Sequence, residues 1–246
     1  MSVSAGEITE DITITKNLVL LGSGAEEDGT VMSGSFIIDT AGNVEIEGLL
    51  FRGTGITVNN ANIIRIEDNV FEPDSPGVVI NSDSQVFISR NDFAETTAPI
   101  QLLGTVRDGS EISNNFISGM SQGILVQDIA EGGDLTISAN TIVFDEGHQY
   151  PIYVSPDQES TATLTVRGNY FQGEALQEDV VGPTAYVMLA SDKISKWIVN
   201  IYNNTPYLNE TAPATKTALG WTPMTEDTVP AVYVENETYA LTVIDI

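Results

Sequence analysis

The chain alternates apolar and polar residues over short stretches, and the stretches recur. Ile56 and Val58, Val78 and Ile80, Ile124 and Val126, and Ile152 and Val154 alternate with polar or solvent-side neighbours. Ile64 and Ile66, Val86 and Ile88, Leu135 and Ile137, and Leu164 and Val166 do the same. A period of two carried by β-branched residues predicts half-buried strands. No long segment has the helical period. ASDKISKW (190–197) and EALQED (174–179) allow a short turn of helix at most.

The strands belong to a repeat. IEGLLF (46–51), IEDNVF (66–71), ISRNDF (88–93), ISNNF (112–116), ISANTIVF (137–144) and VRGNYF (166–171) share apolar alternation, a turn residue and an aromatic. Their asparagines, Asn69, Asn91, Asn115, Asn140 and Asn169, lie 22, 24, 25 and 29 residues apart. GITVNN, GVVINS, PIQLLG, GILVQD and PIYVSP, starting at Gly55, Gly77, Pro99, Gly123 and Pro151, keep step with them. A unit this small cannot bury its own apolar face, but stacked on copies of itself it can. Corresponding strands then pair in parallel about 4.8 Å apart. The predicted fold is all-β, a parallel β-helix of about seven coils.

Two side-chain columns are expected inside it. The five asparagines would form a ladder, amide to amide, on a turn whose left-handed backbone asparagine tolerates. Phe51, Phe71, Phe93, Phe116 and Phe171, with Phe144 or Ile142 between the last two, would form an internal stack.

The stretch GEITEDITITKNLVLLGSG (6–24) resembles the opening coil of right-handed parallel β-helix proteins of the pectin-lyase-like superfamily, and the repeats resemble its generic coil. The likeness covers roughly 6–205. It implies right-handedness and leaves function open, since the fold hosts lyases, hydrolases, esterases, viral tailspikes and adhesins.

The ends read differently. Residues 1–34 are expected to cap the stack, whose open end would otherwise expose unpaired strand edges. The β-helix unit is taken as 1–204, with a long excursion at 172–196. Residues 205–246 are read as a capping or oligomerisation segment: an irregular stretch to 229, then a β-hairpin.

Charge narrows the function. Asp+Glu is 35 and Lys+Arg is 9, a formal charge of -26. That field opposes nucleic acid and anionic lipid. There is no cysteine and one histidine, His148, so disulfides, cysteine-zinc sites and histidine-rich metal centres are excluded. No apolar run reaches the ~18 residues of a membrane span. The opening MSVSAGEITEDI has neither the basic nor the apolar region of a secretory leader. A surface so rich in carboxylates stays hydrated in molar salt, which points to a saline source.

The superfamily's lyases imply a base with Ca²⁺-holding carboxylates, and its hydrolases a spaced carboxylate pair. Glu67, Asp68, Asp83, Asp92, Asp108, Asp128 and Asp134 could place two carboxylates on adjacent coils ~5–9 Å apart, and Asp83, Asp108 and His148, the last beside Asp145 and Glu146, are the candidates for acid–base chemistry. Arg65, Arg90 and Arg167 sit at non-equivalent offsets in the repeat, and Arg52 and Arg107 adjoin loops. Glu26-Glu27-Asp28-Gly29 is the one run suited to Ca²⁺; no cofactor is otherwise implied. Asn203, Asn209 and Asn236 open N-glycosylation sequons.

The expected role is a non-catalytic structural virion protein of a halophilic or marine virus: a spike, fibre or capsid decoration on the virion or extracellular surface. Self-association as a homotrimer, other virion or surface proteins, and host glycans are the expected partners. The alternatives are a polysaccharide-active hydrolase or lyase, and a cell-surface adhesion module.

Overall fold

The computed structural model describes residues 1–96, 98–118, 122–144, 150–173, 187–190, 197–208, 232–234 and 242–244. Among these residues there are 27 strands and no helix, arranged as three nine-stranded sheets. Every ladder is parallel, each strand pairing with the strands three before and three after it. The first coil shows the order: β1 (Gly6–Ile8) lies in sheet I, β2 (Ile12–Ile14) in sheet II and β3 (Leu18–Leu21) in sheet III. The fifth coil, β13 (Asp92–Phe93), β14 (Ile100–Val106) and β15 (Ser110–Ser113), repeats it. So does the sixth, β16 (Phe116–Ser118), β17 (Gln122–Ile129) and β18 (Asp134–Ser138).

The alternation fixes what faces inward. Ile64, Ile66, Val86, Ile88, Ile112, Leu135, Ile137, Leu164 and Val166 are all fully buried in sheet III. Sheet II contributes Ile56, Val58, Val78, Ile80, Ile100, Leu102, Ile124, Val126, Ile152 and Val154. Each buried aliphatic side chain contributes about 1.5–3 kcal/mol, and stacking makes one continuous core of many. Coils approach closely where side chains are absent: a Cβ on Gly55 would sit 2.1 Å from the Gly77 carbonyl oxygen of the next coil.

The ends differ from expectation. Residues 1–34 are not a separate cap, because β1 to β3 already form a coil paired to the next. Only Met1–Val3 acts as an edge cover: Ser2 bridges Leu21 in parallel, and Val3 N–H donates to the Leu21 carbonyl at 2.8 Å. At the other end, β25 (Thr205–Leu208) continues sheet I, so the coils run past residue 204. β26 (Val232–Val234) and β27 (Thr242–Ile244) do not pair as a hairpin. β26 extends sheet II and β27 extends sheet III, both in parallel. Alternating residues satisfy a hairpin and a further coil equally, and the parallel edge already present selects the coil. These end coils account for nine strands per sheet against about seven coils read from the repeats. The proposed helical turns at 174–179 and 190–197 fall, but for Ala190 and Trp197, outside the described residues.

Candidate functional site

Two turns of the coil carry the polar chemistry. The first joins sheet III to sheet I. Here Asn69, Asn91, Asn115, Asn140 and Asn169 are each 1–2% exposed. The Asn91 amide Nδ2 donates to Asn115 Oδ1 at 3.0 Å and to the Ile66 carbonyl at 2.8 Å, while its backbone N–H also donates to Asn115 Oδ1, at 3.0 Å. Asn69, Asn115, Asn140 and Asn169 repeat the pattern. Asn204 ends the column, its Oδ1 accepting from Asn169 at 2.9 Å and its Nδ2 donating to Val166 O. It was missed as a ladder member, although it lies seven residues after Trp197 in a coil already recognised.

The left-handed residue of this turn is not the ladder asparagine. It is the residue before it: Asp68, Arg90, Asn114, Ala139 and Asn203 have φ of 54–56°, and Gly48 and Gly168 take 72° and 62°. The ladder residues themselves are not among the positive-φ positions, and their buried amides bond from coil to coil.

Two residues beyond each ladder position the chain turns into the core. Phe51 and Phe71 stack with centroids 4.8 Å apart and planes at 8°, and Phe71 and Phe93 at 4.6 Å and 11°. Phe36 meets Phe51 edge-on at 5.7 Å. Phe116 does not join this stack. Phe93 is in register with Ile117, which is fully buried, whereas Phe116 is 40% exposed. Ile142 and Phe171 complete the column. The constant offset of two from the ladder asparagine explains the exchange: Asn115 leads to Ile117, not Phe116.

The second polar turn joins sheet II to sheet III, and it holds Asp83 and Asp108. Asp83 Oδ1 accepts the Thr105 N–H at 3.0 Å. Asp108 Oδ1 accepts the Asp134 N–H at 3.1 Å. Asp128 Oδ1 accepts from Asp157 N and Gln158 N at 3.2 and 3.3 Å. Glu131 accepts the Thr161 N–H and hydroxyl at 2.9 and 2.6 Å. Each carboxylate thus receives a backbone donor from the next coil. His148, Asp145 and Glu146 lie outside the described residues, as do Asn209 and Asn236. Asn203 is exposed on its turn.

Four of the five arginines have local partners. Arg52 is held by Glu27 and Glu72, and Arg90 by Glu67 and Asp68. Arg65 lies 3.9 Å over the Phe87 ring, and Arg107 Nη1 donates to Asn62 Oδ1 at 2.7 Å. Arg167 is an exposed residue at the end of its strand. Glu27, the centre of the run considered for Ca²⁺, is the Arg52 partner, and Gly29 N–H closes a turn onto Glu26 O.

The generic model of a right-handed β-helix region matches residues 32–196, well over half of the sequence. The chain belongs to the right-handed β-helix family. No curated protein and no solved structure matches it.

Within this β-helix the carboxylate turn is electrostatically strained. The Asp134 carboxyl is pushed above its ordinary pKa, first by its hydrogen bond with Asp108 and then by burial. Burial raises Asp128, with the charges of Asp157 and Asp83 adding to it. Asp92 is a third raised carboxyl, on the outer side of sheet I between Val70 and Phe116, and desolvation alone lifts it. Its Oδ1 and the Thr96 hydroxyl are buried without a hydrogen-bond partner. Nothing in the repeat marks Asp92 out, since its neighbours in the motif are Val70 and Phe116.

Proposed function

We propose that this β-helix is a non-catalytic structural module displayed outside the cell, a spike, fibre or decoration protein of a virion from a saline habitat. The observation that supports it is the use made of the turn carboxylates. Asp83 and Asp108, the residues best suited to acid–base work, hold backbone N–H groups of the following coil. A formal charge of -26 adds support, because such a surface remains soluble where salt screens its self-repulsion.

One observation favours a second reading, glycoside hydrolysis. Asp108 and Asp134 form a carboxyl pair with one raised pKa. Asp108 Oδ1, however, is already engaged by the Asp134 N–H at 3.1 Å, as Asp83 Oδ1 is by the Thr105 N–H at 3.0 Å. The test is a depolymerisation screen against neutral and acidic polysaccharides with the wild type, Asp83→Asn and Asp108→Asn. The expected result is no turnover by any of them. Turnover by the wild type that Asp108→Asn abolishes would establish the enzyme. Labelled protein binding to purified particles is expected; binding only to virus-free cells would favour the adhesion module.

A further inference from the structure

Sheet II differs from the other two on its outer side. One column of outward residues runs Thr13, Ile37, Thr57, Val79, Gln101, Leu125 and Tyr153, in register from coil to coil. None is charged. The matching columns of the other sheets carry Glu45, Arg65 and Glu111 in sheet III, and Glu7 and Asp92 in sheet I. On a chain of charge -26, sheet II is the face on which a like-charged copy meets least repulsion.

The column is small at Thr57 and Val79 and larger at Leu125 and Tyr153. At coils two to four the face is hollow: a shallow cavity of about 160 Å³ is lined by Ile37, Thr57, Val79, Gly55, Gly77 and Pro76, among others. Gly77 has φ of 72°, and an added Cβ would meet the Pro99 carbonyl at 2.4 Å, so the hollow is fixed by the backbone. At coils six and seven stand the bulkier Leu125 and Tyr153, both half-buried. Gln101 lies midway.

We propose that this face is a self-association surface whose occupant is a second, antiparallel copy of the same chain, with the two-fold axis at Gln101. Rotation about that axis sets Val79 against Leu125 and Thr57 against Tyr153, so each copy's bulky end enters the other's hollow. Such an isologous contact closes as a dimer. The described residues that meet lie on coils three to seven, and five strands at about 4.8 Å by five residues at about 3.3 Å give a footprint of about 400 Å². That is below the ~800 Å² per partner of a standard stable interface, so association is weak and reversible. Asp39, Asp74, Asp83 and Glu95, exposed at the margins of the face, repel across the contact until salt screens them. The inference rests on the structural-module reading, and it names the partner.

Light scattering on the whole chain at tens of micromolar tests it. The expected mass is that of a monomer in 0.1 M NaCl and of a dimer in 2 M NaCl. Leu125→Glu is expected to weaken the dimer at least ten-fold, while Thr136→Glu, on the outer side of sheet III, leaves it unchanged. A monomer at every salt, a trimer, or equal effects of the two variants would overturn the proposal. The register is tested separately, since the chain has no cysteine. Packed sheets lie ~10 Å apart, beyond a disulfide, so a short bismaleimide is the probe. Gln101→Cys is expected to link to itself, and Thr57→Cys to link only to Tyr153→Cys. Thr57→Cys linking to itself as readily as Gln101→Cys would overturn the antiparallel arrangement. Absence of a dimer would leave the polysaccharide screen unaffected, so the two readings fail independently.

Discussion

The two polar turns of the coil bring like side chains together across coils with opposite results. On the III-to-I turn each asparagine amide offers a donor and an acceptor. A column of amides is therefore self-satisfying: Asn115 accepts from Asn91 below and donates to Asn140 above. On the II-to-III turn the like groups that meet, Asp108 and Asp134, are carboxylates, which when ionised only accept. They can be satisfied by backbone N–H groups, but not by one another. Beside Asp108 the conflict is felt as a raised pKa at Asp134. Repetition amplifies whichever chemistry a turn carries, so a solenoid gains from a neutral amphoteric residue and is strained by a single-sign one.

The largest expected effect comes from exchanging the two chemistries. Asn115→Asp puts an acceptor-only group where Asn115 Nδ2 donates to the Ile88 and Asn140 oxygens. A buried charge without compensation costs about 3–5 kcal/mol, to be read as a loss in denaturant unfolding at pH 7. A loss below about 1 kcal/mol would mean that the ladder is not a rigid neutral column. The reverse exchange, Asp108→Asn, keeps the acceptor for Asp134 N–H and removes a charge. At this exposed turn a gain of less than about 1 kcal/mol is expected, and a loss would show that the pair is not strained.

The pH dependence sharpens the same contrast. Asp134, Asp128 and Asp92 have folded pKa values raised above the unfolded ones, so the folded state holds more protons. Their contribution is fully present below the ordinary carboxylate range and is lost as pH rises through the raised values. Asp11, lowered by its hydrogen bonds from Ser35, acts oppositely and loses its contribution only below that range. Melting temperature should therefore rise as pH falls from 7 toward the ordinary carboxylate range, and less so in Asp108→Asn. A curve unchanged by that substitution would remove the pair from the account. The smallest effect is at Phe116. Phe116→Ser should change stability by no more than about 0.5 kcal/mol, whereas Ile117→Ala should cost about 2–5 kcal/mol.

That last pair shows where the sequence was readable. The period, the ladder asparagines and the alternating core follow from local chemistry repeated many times. Phe116 was misplaced because ISNNFIS offers two apolar residues after the turn, and choosing the aromatic overrode the constant offset of two from Asn115. The C-terminal strands were misread because alternation does not distinguish a hairpin from one more parallel coil. The candidate site was legible only as residue type. Asp83 and Asp108 were picked out, yet their partners, Thr105 and Asp134, depend on loop lengths that set which residue lies one coil above. Asp92 and Asp128 stood only among many possible carboxylate pairs and were not singled out, because burial, not identity, shifts them.

Hydrogen exchange resolved by residue, at pH 7 in low and in molar salt, tests the contrast between the two turns most directly. The backbone N–H groups of Asn69, Asn91, Asn115 and Asn140, bonded to ladder amides, should be strongly protected and equally so at both salts. Those of Thr105, Asp134, Asp157 and Thr161, bonded to stacked carboxylates, should exchange faster at low salt and gain protection as salt screens their acceptors. Equal protection and equal salt response at the two turns would contradict the account.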